Sequence, residues 1–130
     1  LIADAEGATK DIRIDVVGAA TEDEAVTAAR AVSRSNLLKC AIHGEDPNWG
    51  RIISAVGTTD VTFEPDAIDV AINGVTICRD GAGHGDRSHV DMSAREVTIS
   101  IDLRSGAAAA TLWTNYLTAM YVHENSAYST

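Results

Sequence analysis

Polar and β-branched side chains alternate through residues 11–19 (Asp-Ile-Arg-Ile-Asp-Val-Val-Gly-Ala), which is the two-residue period of a strand with one buried face. The pattern then changes to a helical one. Thr21 and Glu24 have the Thr-x-x-Glu spacing of a capping box, and Ala25, Ala28, Ala29 and Val32 fall on one face. Small residues on that face predict close packing, against a sheet. A second helical stretch covers 36–43, after a break at 33–35, and Gly44 ends it. Asp46 is placed to cap a third helix with Pro47 at its first position, where no amide donor is needed; Ile52, Ile53 and Val56 form its buried side and Gly57 closes it. The remainder reads as strand. Residues 67–72 and 75–78 flank Asn73-Gly74, a pair that supplies the positive φ angles of a two-residue hairpin turn. Residues 96–103 predict a further strand, with 107–113 pairing against it across Ser105-Gly106, and 118–128 predict a short helix. No repeat, low-complexity tract or shift of composition divides the chain, so the expectation is one α/β domain over residues 1–130, a mixed sheet packed against helices.

Composition narrows the function classes. The 130 residues are 45% hydrophobic, enough for one domain with a real core. Nineteen acidic against ten basic residues give a net charge of −9, which opposes binding to a phosphate backbone, so nucleic acid is not an expected partner. Cys40 and Cys78 each sit in an apolar stretch without a disulfide-like spacing pattern, and both read as reduced core thiols. The first residues lack a secretory signal and no window is long and apolar enough to cross a bilayer, so the expectation is a cytoplasmic protein with no membrane partner. A start at Leu1 without an initiator Met suggests a piece of a longer protein.

Several clusters could carry chemistry. Gly81, Gly83 and Gly85 follow a strand, but the segment runs through charged residues into another strand and opens no helix, which a phosphate-cradling dinucleotide loop must do. His84, Asp86, His89 and Asp91 are metal-ligand types on a glycine-rich loop without a rigid scaffold, and a polar inter-strand loop is the plainer reading; no metal and no cofactor is expected. No Gly-x-Ser-x-Gly elbow is present and neither cysteine has an activating motif, so no independent catalytic residue is expected. Two segments are less ordinary. Glu6-Gly7-Ala8-Thr9-Lys10 sets an acid and a base four apart before the first strand, which as chemistry alone reads as a solvated ion pair. The stretch from Tyr121 to Thr130 mixes apolar Tyr121, Val122, Ala127 and Tyr128 with hydrogen-bonding Asn125 and Thr130, a composition suited to docking rather than fraying.

Glu6-Gly-Ala-Thr-Lys10, Asp46-Pro-Asn-Trp-Gly-Arg51 and Tyr121-Val-His-Glu-Asn-Ser-Ala-Tyr-Ser-Thr130, in this order and at these separations, resemble the ornithine acetyltransferases, and the last of them most resembles the actinobacterial members. The resemblance runs from Leu1 to Thr130 and implies the fold of the carboxyl-terminal region of those enzymes. They are made as a precursor that cleaves itself before a threonine, giving an α chain and a β chain whose new amino-terminal Thr is the nucleophile. The resemblance thus implies the later part of a β chain, with the rest of that chain and the α chain as partners in an assembly of two α and two β chains. It implies N-acetylornithine and glutamate as substrates, with Glu6, Asn125 and Thr130 as substrate-binding residues and catalytic residues elsewhere. Whether acetyl-CoA also serves as donor stays open. One departure stands out: Asn115-Tyr116-Leu117-Thr118 occupies a position where the family commonly has Asp-Leu-Thr or Asp-Leu-Ser, so a phenol replaces an anion. A different class remains open, a non-catalytic α/β module for oligomerisation or small-molecule binding.

Overall fold

The computed structural model describes residues 10–116. Six strands form one sheet: β1 (Lys10–Ala19), β2 (Asp69–Ile72), β3 (Val75–Arg79), β4 (Ala82–Gly83), β5 (Glu96–Asp102) and β6 (Ala108–Tyr116), in the order β4-β3-β2-β5-β1-β6. β1 and β5 run parallel and every other neighbouring pair is antiparallel, so the sheet is mixed as expected. Three helices, α1 (Glu22–Arg34), α2 (Asn36–His43) and α3 (Trp49–Gly57), complete the fold. α1 lies on β1 and β6, and α3 packs beside α1.

Local sequence explains most of these elements. The Thr21 hydroxyl accepts from the Glu24 amide to start α1, whose buried face is Ala25, Ala28, Ala29 and Val32. Those alanines let the helix sit close to β6, which turns the small side chains Ala108 and Ala110 toward the same core. The reciprocal half of the capping box is absent, because the Glu24 carboxylate reaches forward to the Thr62 amide. Ser35 both ends α1 and caps α2, its hydroxyl accepting from the Leu38 amide at 3.1 Å. Asn73 and Gly74 hold φ of 51° and 82°, and the hairpin between β2 and β3 forms as its sequence demands.

Three expectations need correction. α3 is capped by Asn48, whose side-chain oxygen accepts from the Arg51 amide at 3.1 Å, and Trp49 is its first residue; Asp46 instead accepts from the Asn48 amide group at 3.2 Å. β6 does not pair with β5. It crosses over the end of β1 and runs antiparallel along that strand's far side, leaving β1 between β5 and β6. The crossing is tied down by Leu103 and Ser105, whose amides donate to Val17 and Gly18, and Gly106 passes so near the Ala19 carbonyl that any side chain there would collide with it. The third correction is Cys40: both thiols are free, but only Cys78 is buried. Leu38, Ala41 and Ile42 take the inner face of α2, which turns Cys40 outward. The expected helix over 118–128 lies outside the described residues.

The core is one cluster between the helices and one sheet face, built on Ile12, Ile14 and Val16 of β1, Val97, Ile99 and Ile101 of β5, and Val70 and Ile72 of β2. The opposite face, with Arg13, Asp15, Val17, Asp69, Thr76 and Ser100, carries no helix among the described residues.

Candidate functional site at the Lys10–Tyr116 end of the sheet

Glu6, Asn125 and Thr130, the positions expected to bind substrate, all lie outside the described residues. The strands that lead to them are described, and they are neighbours. Lys10, which opens β1, is register partner to Tyr116, which closes β6. The segment carrying Glu6, four residues before Lys10, therefore joins the sheet beside the point where the segment carrying Asn125 and Thr130 leaves it. Sequence separation says nothing of this; the antiparallel β1–β6 pairing produces it.

Polar contacts knit that end together. The Lys10 ammonium donates to the carbonyl oxygens of Met92 at 2.8 Å, Ser93 at 3.3 Å and Ala94 at 2.6 Å, so its three N–H donors meet three acceptors. This clamps the turn that feeds β5. On the adjacent position of β1, the Asp11 carboxylate accepts from Arg95 at 3.0 Å and from the Asn115 amide group at 2.7 Å, joining the entry of β5 to the last turn of β6. Asp91 is fixed in the same loop by the Ser93 hydroxyl and amide, at 2.6 and 2.9 Å, and these two donors hold its carboxyl below the usual range.

Sequence reasoning passed over His43 at this end. It is the last residue of α2, and its Nε2 is the buried side-chain nitrogen or oxygen atom among the described residues that has no hydrogen-bond partner. Burial first, and the nearby Lys10 charge second, hold its imidazole below the ordinary histidine value, which favours the neutral form. No sequence signal joins His43 to Lys10, since 33 residues and a helix–helix break separate them.

The other motifs make contacts within the fold. Trp49 lies against the backbone of Gly83, the indole about 3.5 Å from where a side chain would start, and Arg51 donates to the Leu37 carbonyl at 2.7 Å. The glycine-rich loop opens no α-helix; a short 3₁₀ turn, Arg87–His89, follows it, capped by Asp86. His89 and Asp86 approach to 3.7 Å, but no group of three His, Cys, Asp or Glu side chains converges among the described residues. Cys78 is a poor nucleophile here, its thiol pushed up by burial and then by the Asp69 charge. No helix among the described residues is long and apolar enough to cross a membrane.

The model of the ArgJ family matches residues 1–130. This chain belongs to the ArgJ family. It is 67% identical over 129 residues to the arginine biosynthesis bifunctional protein ArgJ of Streptomyces coelicolor, and 63% identical over 130 residues to that of Thermobifida fusca. These alignments take in 99% and 100% of the chain but 34% of each relative, so the chain spans about a third of the length of the curated relatives it matches. Among solved structures it resembles the crystal structure of the arginine biosynthesis bifunctional protein ArgJ from Bacillus halodurans, with a TM-score of 0.82 and 35% identity over 94% of this chain and 59% of that one. The mixed sheet with its helices is thus the family fold, and the resemblance in the three motifs is confirmed as membership.

Proposed function

We propose that these residues are the later part of the β chain of a cytoplasmic bifunctional ornithine acetyltransferase, a glutamate N-acetyltransferase of arginine biosynthesis, and that they supply its substrate-binding side. In that reaction a threonine hydroxyl attacks the acetyl carbonyl of N-acetylornithine and ornithine leaves as the amine; the amine of glutamate then attacks the acetyl-threonine, forming N-acetylglutamate and freeing the hydroxyl. Donors aimed at the oxyanion stabilise both tetrahedral intermediates. The nucleophile, those donors and the α chain belong to polypeptide outside these 130 residues, in an assembly of two α and two β chains. Glu6 pairs with a substrate ammonium, while Asn125 and Thr130 hold polar groups of the amino acid.

The observation that supports this reading, beside membership of the family, is the register of Lys10 with Tyr116, which sets the strand that follows Glu6 in sequence beside the strand that precedes Asn125 and Thr130. Lys10 adds weight. Its three contacts fix the start of β1, and with it the point from which the segment carrying Glu6 extends. The share of the solved relative that is matched, 59% against 34% for the curated ones, is also what a separate chain cut from a longer precursor would give.

The test is kinetic and uses the complete enzyme. Glu6→Ala should lower kcat/KM for N-acetylornithine roughly ten- to a hundredfold, the effect of losing a charge-assisted hydrogen bond of about 1.5 to 3 kcal/mol, with no change in thermal stability. Wild-type kinetics would return Glu6 to the surface.

A further inference from the structure

In the helical layer, α1 and the chain that leaves α3 face each other across a polar groove. One wall is the α1 stripe Glu24, Thr27, Ala31 and Arg34, which a spacing of three and four residues keeps on one side of the helix; the other is residues 58–61. Two hollows, of about 550 and 480 Å³, make up the groove and share Thr27, Thr58 and Thr59. Their outer ends carry opposite charge. Arg30 and Arg34 line one, Glu24 and Asp60 the other.

The two ends are also unspent. Arg13, Arg87, Arg95 and Arg104 pair with carboxylates and Arg51 with a carbonyl, whereas the side chains of Arg30 and Arg34 make neither kind of contact with a described residue. Each guanidinium therefore keeps five N–H donors for another partner. Asp60 is likewise without a side-chain partner among the described residues, and the Glu24 carboxylate uses one acceptor position on the Thr62 amide. Between the ends, the Thr58 hydroxyl donates to the Ala55 carbonyl at 2.7 Å and that of Thr59 to the Val56 carbonyl at 2.6 Å. A hydroxyl has one proton, so both present lone pairs to the groove, and the middle suits a hydrogen-bond donor rather than an anion. Glu24 stands six and ten residues from Arg30 and Arg34, about 9 and 15 Å along the helix axis, and no ion pair joins the ends among the described residues.

We propose that this groove binds a small zwitterion of the basic amino acid class, its carboxylate in the forks of Arg30 and Arg34 and its side-chain cation against Asp60, Glu24 and the Thr58 oxygen. An inorganic anion would satisfy the arginines and leave the acidic end empty. A molecule whose charges are adjacent, such as glycine, is too short to reach both. The inference rests on the groove and not on acetyl transfer, so it stands or falls separately from the proposed reaction.

Calorimetry and amide exchange on the full-length protein with 6-aminohexanoate test it, a probe that carries a carboxylate and an ammonium several bonds apart and nothing else. The expected result is saturable binding that slows exchange in residues 58–62. Arg30→Gln combined with Arg34→Gln should weaken it about tenfold or more and Asp60→Asn about threefold, the sizes of charge-assisted contacts at a surface groove. Hexanoate and hexylamine, with one charge each, should bind about tenfold more weakly than the zwitterion, and Arg79→Gln, outside the groove, should change nothing. Absence of saturable binding would overturn the proposal. So would hexanoate binding as tightly as the zwitterion, which would mark a plain anion site, or protection that falls elsewhere with an affinity untouched by the groove variants. Should the double variant fail to fold, the three probes on the wild-type protein and the place of the protection decide.

Discussion

The two faces of the sheet are built by the same strands and obey different physics. On β1, Ile12, Ile14 and Val16 have no accessible surface, while the side chains between them form a polar chain on the open face: Arg13 donates to Asp15 at 3.0 Å, Thr111 donates to the same carboxylate at 2.7 Å, and the Arg13 guanidinium lies 5.1 Å from the centre of the Trp113 ring. The inner face draws its stability from area removed from water and from close packing. The outer face is held by exposed charges and one ring, each worth little while water surrounds it. Strand alternation therefore marks which side is finished as a core, and leaves the other side free to take an interface without disturbing the fold.

That contrast can be broken from either side. Ile14→Ala should have the largest effect, destabilising the protein by about 2 to 5 kcal/mol through lost burial and the cavity left behind, measured as a lower urea midpoint at constant slope. Lys10→Met should come next. It leaves three carbonyls without their cation, and because two of the three contacts are exposed the loss should be about 1 to 2 kcal/mol, with faster amide exchange through residues 92–95 as its signature. Trp113→Ala should matter least, below about 1 kcal/mol in these 130 residues, since an exposed cation–π contact contributes no more. A Trp113 effect as large as that of Ile14 would show that the open face carries a core of its own.

What could be read from the sequence was what neighbours in sequence decide. The hairpin at Asn73-Gly74, the Thr21 cap, the break at Ser35 and the alanine face of α1 all follow from interactions within a few residues. Asp46 and Asn48 are both capping residues by type, so sequence alone does not separate them, and it is Asn48 that accepts from the Arg51 amide. Sequence order points β6 to β5, because strands adjacent in sequence usually pair, whereas the chain steps over β1 first. At the candidate site, the motifs named Glu6, Asn125 and Thr130, but the grip of Lys10 on carbonyls 82 to 84 residues away left no local trace. Nor did the unpaired nitrogen of His43, which depends on how α2 ends against the sheet.

The placement of β1 also sets the order in which the chain can fold. Ile14 lies in the middle of that strand, where its register partners are Ile99 on one side and Leu112 on the other. Emerging from the ribosome, β1 therefore lacks both of these neighbours until residues 96–116 have been made, whereas α1, which packs on its apolar face, follows at once. Contacts that span so much sequence slow folding, and a parallel pair cannot be closed by a tight turn. The α1–β1 unit therefore precedes the strands that enclose it, an interval in which exposed apolar surface favours aggregation.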